Sequence, residues 1–415
     1  MQAVGKIPSQ DWLTLSSTME VMTALMAEGA TVRCVGGCVR DAILCVATVD
    51  VDIATQDPPE KVMDLLARAG IRAFPVGMAH GAVLAVTPEM SFHVTTLRTD
   101  IETFGRHATV EYIDNWEEDA RRRDLTMNAL YVDMDGTMYD PVGGLPDIEQ
   151  GRVRFIGTAR NRIKEDYLRI LRFFRFYAYY GRLNPDADHL MACEHEAFNI
   201  KSLSKERVWY EWRRLLSAPD PTDAIALMHK HHVLPHMFPG HIHEKTIAQT
   251  LRNLVEVEKM LHRAPCPIRR FASLMEGNVE SVTSITKYLP ISTKDKKRLK
   301  LLTDLLHDLP NIHDQRIATV LLYNHGSDIF EDLVMIQEAQ RPEVDKQRIQ
   351  DAMVISTRWE NPSFPLKGRD LLALGLEKGP KIGSILDEAE AWWLEQTCIP
   401  DKEACLEWVR RRNNM

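Results

Sequence analysis

The strand-period runs of this chain stop near Gly151, and that change limits its possible folds more than any single residue does. Before it, short β-rich runs alternate with helical ones. Thr31 to Val35, Asp50 to Ala54, Ala82 to Val86, Phe92 to Leu97 and Asn128 to Asp133 read as strands. After it the strand signal ends, and residues 160–415 carry long helical periodicities broken by proline pairs such as Pro219/Pro221 and Pro235/Pro239. From about Ser9 to Glu28, Trp12, Leu15, Met19, Met22, Leu25 and Met26 recur at helical spacing, and Gly29 stops the pattern. The expectation is an α+β protein: an N-terminal helix within 1–29, a mixed α/β domain over 30–150, then helical segments over 151–215 and 216–415. No fixed-period repeat or low-complexity stretch points to a solenoid.

A chain of 415 residues exceeds what one core usually supports, so several domains are expected. Its 45% hydrophobic and 27% charged content is ordinary for a globular protein, and no apolar run reaches membrane-spanning length. The opening Met1-Gln2-Ala3-Val4-Gly5-Lys6 shows no basic-then-apolar leader, so a cytoplasmic location is expected. Seven cysteines (34, 38, 45, 193, 266, 398, 405) are odd in number and lack Cys-x-x-Cys spacing, which fits reduced thiols rather than a disulfide framework. A net charge of -8 argues against indiscriminate coating of nucleic acid and leaves RNA open, because binding depends on where basic residues cluster.

The chemistry concentrates in four places. In Val49-Asp50-Val51-Asp52-Ile53 an extended backbone puts both carboxylates on one face, a spacing that suits Mg²⁺ but, taken alone, fits a solvated strand end better. Upstream, the strand Val32 to Val35 runs into Gly36-Gly37 and a helix beginning Val39-Arg40-Asp41. The glycines let backbone approach an anion, the helix start offers unpaired N–H groups, and Arg40 adds a charged donor for a triphosphate.

The third place is Arg121-Arg122-Arg123-Asp124-Leu125-Thr126-Met127-Asn128, three cations and short polar side chains ahead of a strand. It reads as a solvated charge run or as contacts to phosphate or ribose. The fourth is Arg162 to Phe176, where Asp166, Arg169, Arg172 and Arg175 recur at every third position along an expected continuous helix. Ile163, Tyr167, Ile170, Leu171, Phe174 and Ala178 take the opposite stripe, and Gly181 ends it.

These four elements, in this order from about Arg33 to Gly181, resemble the class II CCA-adding enzymes, the tRNA nucleotidyltransferases, and the bacterial poly(A) polymerases that share their core. Gly36-Gly37-Cys38-Val39-Arg40-Asp41 with Asp50-Val51-Asp52 is similar to the family's metal and triphosphate motif, Arg122-Arg123-Asp124 to its ribose-selecting motif, and Glu165-Asp166-Tyr167-Leu168-Arg169 to its base-reading motif. Met78-Ala79-His80-Gly81, Asp140-Pro141-Val142-Gly143-Gly144 with Asp147, and Leu366-Lys367-Gly368-Arg369-Asp370-Leu371-Leu372 add further similarity.

The resemblance implies a polymerase-beta-like nucleotidyltransferase palm followed by an all-helical neck, body and tail that hold the acceptor end of tRNA. It implies Asp50 and Asp52 as catalytic metal ligands for Mg²⁺. Gly36, Gly37, Arg40, Arg123, Asp124, Asn128, Asp166, Arg169, Arg172 and Arg175 become the expected nucleotide-binding residues, with CTP and ATP as substrates. Cytosine and adenine both show an amino donor beside a ring-nitrogen acceptor, and a carboxylate at Asp166 with the Arg169 guanidinium complements that edge; guanine and uracil reverse it.

Two departures stand out: His93 where many relatives carry Glu, and Cys45 where the family usually has Gly. The segment Leu97 to Tyr112, with Thr99-Asp100 and Gly105-Arg106-His107-Ala108, resembles the flexible loop that CC-only enzymes lack, which favours full CCA addition. A bacterial poly(A) polymerase or A-adding enzyme is the alternative, with only Arg410-Arg411-Arg412 as a basic tail. Lys294 to Lys300 reads as a tRNA contact or a solvated helix face. His307-Asp308, and a cluster of His229, His231, His232 and His236 without carboxylate partners, read as ordinary helical histidines rather than a phosphohydrolase metal site.

Overall fold

The structure, a computed structural model, describes residues 1–48, 50–104, 107–238, 242, 247–275, 279–308 and 311–413, and their side chains except those of 100–104, 107–109 and 279–281. Val49, Gly105, Arg106 and Pro239, all within segments singled out above, lie outside the described residues. Two units result, Met1–Pro239 and Gly240–Met415.

In the first unit the β-branched runs form a mixed sheet. Its strands are β1 (Ala3–Lys6), β2 (Val32–Val35), β3 (Val51–Thr55), β4 (Arg72–Gly77), β5 (Ala82–Val86), β6 (Ser91–Thr96), β9 (Tyr131–Val132) and β10 (Thr137–Tyr139), while β7 (Arg98–Phe104) and β8 (His107–Tyr112) form a separate hairpin. The order across the sheet is β1-β10-β9-β2-β3-β6-β5-β4. Every pairing is antiparallel except β3 with β6, which sets Asp52 level with His93.

The helices of this unit are α1 (Asp11–Thr14), α2 (Ser16–Met26), α3 (Gly37–Ile43), α4 (Pro59–Arg68), α5 (Trp116–Arg121), α6 (Leu145–Gln150), α7 (Ala159–Glu165), α8 (Leu168–Tyr180), α9 (Ala187–Glu196), α10 (Lys205–Leu216), α11 (Thr222–Lys230) and α12 (Leu234–Met237). Val35, Ala54, Trp116, Ala120, Ala129 and Tyr131 form one apolar core under the sheet.

Four expectations change in detail. The leading helix is two helices, because Leu15 adopts φ -55°, ψ 140°, and residues ahead of it form β1. The segment from Asn128 becomes a strand only at Tyr131, after a 3₁₀ turn over Thr126–Asn128. The helix after β2 starts at Gly37 rather than Val39. Residues 162–176 are not one helix: Asp166, at φ -153°, ψ 108°, interrupts them, and its Oδ1 accepts the Leu168 N–H at 3.1 Å to start α8. The apolar spacing continues through the break, which is why periodicity hides it. Ile163, Ile170, Leu171 and Phe174 are buried as the stripe requires, but Phe173 and Arg175 on other faces are buried too, and Phe173 stacks on Phe155 at 5.0 Å.

The second unit is helical in its described residues: α13 (Ile247–Met260), α14 (Pro267–Leu274), α15 (Val279–Tyr288), α16 (Thr293–His307), α17 (Gln315–Ala339), α18 (Lys346–Arg358), α19 (Gly368–Ala373), α20 (Pro380–Glu395) and α21 (Lys402–Arg412). Gly326, at φ 77°, kinks α17. Buried Arg269 joins Glu258 at 2.6 Å to Asp332 at 3.0 Å, and Arg270 on Glu258 and Arg298 on Asp332 supply further positive charge to the two carboxylates. In the Leu366 to Leu372 segment, Asp370 accepts the Lys367 N–H at 2.8 Å and starts α19, so this motif is a helix cap.

Candidate active site

Gly36, the residue before α3, has φ 79° and ψ -121°, a conformation open to glycine. A Cβ placed there would lie 3.6 Å from the Asn128 carbonyl oxygen, 3.8 Å from Arg123 Nη1 and 4.0 Å from Asp52 Oδ2, so three of the sequence elements converge on this one glycine. The fourth joins them around a cleft of about 590 Å³. Gly36, Gly37, Arg40, Asp50, Asp52, Arg123, Asp124, Asn128, Asp166, Arg169, Arg172 and Arg175, every residue the sequence nominated, border it.

The two carboxylates differ. Asp50 is exposed just ahead of β3, whereas Asp52 is half-buried on it. Burial raises the Asp52 carboxyl above its ordinary value and the proximity of Asp50 adds to this; His93, Arg123 and Arg40 act against it. A pair of hard oxygen donors beside a cleft lined by guanidinium groups fits a small divalent cation.

The cationic side chains are held by a polar lattice. Arg40 is buried and commits four of its five donors: Nη1 to Asn128 Oδ1 at 2.7 Å, Nη2 to Asp41 Oδ1 and Tyr180 Oη, both at 2.8 Å, and Nε to Asp41 Oδ1 at 3.0 Å. Its guanidinium also lies 4.2 Å from the Tyr180 ring centroid. Asn128 donates to Asp124 Oδ1 at 3.1 Å, and Arg172 Nε donates to Asp124 Oδ2 at 2.6 Å. Burial would raise the Asp124 carboxyl, but Arg172, Asn128 and the Leu125 N–H outweigh it and hold it well below the usual carboxylate range.

Arg123 and Arg122 are both held by Asp119, at 3.1 and 2.6 Å, and Tyr131 Oη donates to the same carboxylate at 2.7 Å. Asp147, from the Asp140 to Asp147 motif, accepts the Thr126 hydroxyl at 2.6 Å and so steadies the Arg123–Asn128 turn. Arg175 is buried, with Nε on Glu211 Oε2 at 2.5 Å, and burial lowers its guanidinium below the ordinary arginine value.

Asp166 and Arg169 each have other side-chain partners. Asp166 Oδ2 accepts from Arg207 Nη2 at 2.5 Å, and Arg169 Nη1 donates to Glu165 Oε2 at 2.5 Å. Sequence reasoning missed Arg207, Glu211 and Arg214 on α10. Their spacing along Lys205–Leu216 marks one polar face on a helix whose Val208, Trp212, Leu215 and Leu216 are buried, a signal that could have been read. It also missed Tyr179 and Tyr180, which line the cleft.

Other nominated residues lie elsewhere. His231 does have a carboxylate partner, Glu194 at 2.8 Å, contrary to expectation. His307 and Asp308 are exposed, 4.0 Å apart. Cys34 and Cys38 are buried, and burial pushes the Cys38 thiol up to about 12. In the Lys294 to Lys300 cluster, Arg298 is held by Asp332 at 2.5 Å. Among the described residues no helix is long and apolar enough to cross a membrane.

One cleft bordered by the Asp50/Asp52 carboxylates, the Asp166/Arg169 acid–guanidinium pair and further guanidinium groups fits a nucleotidyltransferase. The "Poly A polymerase head domain" model matches residues 32–154, the "Probable RNA and SrmB- binding site of polymerase A" residues 183–245, and tRNA nucleotidyltransferase domain 2 residues 269–409. The mouse (Mus musculus) protein "CCA tRNA nucleotidyltransferase 1, mitochondrial" is 32% identical over 98% of this chain and 93% of its own length. The chain belongs to the CCA tRNA nucleotidyltransferase family.

Two solved structures share its fold. One is the Bacillus stearothermophilus CCA-adding enzyme in complex with CTP (TM-score 0.75, 24% identity, 95% of this chain and 96% of that one). The other is the Thermotoga maritima CCA-adding enzyme complexed with tRNA_CCA (TM-score 0.72, 17% identity, 100% of both chains). The α+β architecture, a mixed-sheet palm followed by helices, is that of this family.

Proposed function

We propose that this enzyme adds C, C and A in turn to the 3′ end of tRNA from CTP and ATP, releasing pyrophosphate and using Mg²⁺ held by Asp50 and Asp52. The observation that carries the reading is that the carboxylate pair and the Asp166/Arg169 pair border the same cleft. The full-length similarity to the mouse CCA tRNA nucleotidyltransferase supports it, as do the CTP and tRNA named for the two structures above.

The metal, when bound, supplies activation of the primer 3′-hydroxyl and neutralisation of charge on the departing pyrophosphate. The chain's own residues do the rest. Gly36 and Gly37 give the triphosphate close backbone approach, with Arg123 and the remaining N–H of Arg40 beside it. Asp124 and Arg172 face the sugar. Asp166 accepts the exocyclic amine of C or A, and Arg169 donates to the ring nitrogen beside it. G or U would set donor against donor and acceptor against acceptor, at about 1–3 kcal/mol for each buried group left unpaired.

In this reading residues 151–215 form the neck that reads the base, and residues 216–415 the body and tail that hold tRNA. Cytoplasmic residence is part of the same reading; the mouse relative is named mitochondrial, so fractionation of the cell is the measurement for it.

The direct test incubates the full chain with a tRNA lacking its 3′ CCA, Mg²⁺, and CTP, ATP or both, and sequences the products. CCA ends with both nucleotides, and only C with CTP alone, are expected. Runs of A with ATP alone would instead identify a poly(A) polymerase.

A further inference from the structure

The base-reading pair is held in a frame of its own. Asp166 sits at the break between α7 and α8, and its carboxylate is held from two sides: Oδ1 by the Leu168 N–H at 3.1 Å, Oδ2 by Arg207 Nη2 at 2.5 Å. Arg169 is held by Glu165 Oε2 at 2.5 Å, the Arg162 carbonyl at 2.9 Å and the Arg122 carbonyl at 3.3 Å. Each carboxylate oxygen has two lone pairs, so Asp166 keeps one on each oxygen for a base, and Arg169 keeps two of its five N–H groups. Both members are thus aimed by third parties, and two acceptor sites and two donor sites remain to be met by the incoming nucleotide.

We propose that Arg207 is a specificity-determining positioning residue, which holds Asp166 as the acceptor that selects C and A over U and G. This rests on the reading of Asp166 and Arg169 as the base readers. A guanidinium only donates, so the oxygen it holds must face it as an acceptor. The Leu168 N–H alone leaves the carboxylate a hinge, because the terminal torsion of Asp is broad. A carboxylate free to turn aside no longer sets its lone pairs against the O4 of uracil or the O6 of guanine, and rejection of the wrong base weakens.

Arg207 is placed for this. It lines the cleft beside Asp166 and Arg169, and its side chain is 24% exposed. It enters from α10, which is anchored by its own buried Val208, Trp212, Leu215 and Leu216. Removing the guanidinium therefore leaves that packing in place.

The experiment measures kcat/KM for CTP and UTP on full-length enzyme with tRNA lacking CCA, in the parent and in Arg207→Met, Arg207→Gln and Arg207→Lys. Circular dichroism melts confirm which variants are folded at the assay temperature. The CTP/UTP ratio is expected to fall about 10-fold in Arg207→Met, the equivalent of one mismatched buried polar contact. Arg207→Lys, which restores a charged donor, recovers part of the loss, and Arg207→Gln shows the intermediate effect of an uncharged donor. If CTP and UTP lose the same factor in Met and Gln variants alike, Arg207 is only structural and the proposal falls. The double variant Asp166→Ala/Arg169→Ala separates the two readings. If it retains discrimination, base reading by the pair fails; if it loses discrimination while the folded Arg207 variants keep theirs, only the assignment of Arg207 fails.

Discussion

His93 on β6 is the register partner of Asp52 on β3, in the single parallel pairing found among the described strands of the sheet. Residues level in adjacent strands project on the same face, so the imidazole stands beside the more buried of the two carboxylates proposed to hold the metal, and it favours the charged form of that carboxylate. His93→Glu would put a third carboxylate on that face. The expected outcome is a several-fold lower Mg²⁺ concentration at half-maximal incorporation, read by titrating Mg²⁺ in the nucleotide-addition assay and by direct Mn²⁺ binding. An unchanged metal requirement would show that the His93 side chain does not reach the metal position.

Asp119 is 1% exposed and holds Arg122, Arg123 and Tyr131 together. Burial alone would raise its carboxyl, but the Arg123 and Arg122 cations and the Tyr131 hydroxyl hold it well below its ordinary value of 3.8. A depressed carboxyl contributes stability in full above the ordinary value and loses it as pH falls toward the depressed one. Asp119→Asn should therefore cost about 3 kcal/mol at neutral pH. The gap to the parent should narrow as pH is lowered below about 4. Urea unfolding at pH 7, 5 and 3 checks both; a gap independent of pH would remove the ion pairs from the explanation.

Tyr180 Oη accepts from Arg40 Nη2 at 2.8 Å and bonds Asp41 Oδ1 at 3.2 Å, joining α3 to the end of α8. Tyr180→Phe keeps the ring under the guanidinium and removes the hydroxyl, leaving a buried donor unmet. A loss of about 1–2 kcal/mol is expected. In a double-mutant cycle with Arg40→Met the two changes should be non-additive by about 1 kcal/mol, measured by denaturant unfolding. Additive losses would mean that the two residues act separately.

Cys45, exposed after α3, has φ 54°, the left-handed region in which glycine is unstrained. Cys45 therefore carries backbone strain that a glycine at this position would not. Left-handed strain of about 1–2 kcal/mol exceeds the roughly 0.5–1 kcal/mol of chain entropy that glycine adds. Cys45→Gly should stabilise the protein by up to about 1 kcal/mol, seen as a small rise in melting temperature. A drop would place the cost of the Cys conformation below the entropy term.

The sequence by itself determined what depends on near neighbours. Strand alternation set Asp50 and Asp52 near one face, Gly36 and Gly37 marked the close backbone approach, and the end of the strand-period runs near Gly151 marked where the sheet gives way to helices, because each is a property of a few consecutive residues. Only the tertiary structure decided how the side chains are shared. Arg207 reaches Asp166 across 41 residues, Arg40 reaches Asn128 across 88 and Tyr180 across 140, and nothing in local spacing records such partners. The break at Asp166 was hidden for a related reason. Apolar residues keep their helical spacing through it, while the extended conformation is stabilised by the capping carboxylate and by Arg207 from a separate helix. The sequence named the residues around the cleft; the long-range hydrogen bonds decided which of their donors and acceptors remain open to a nucleotide.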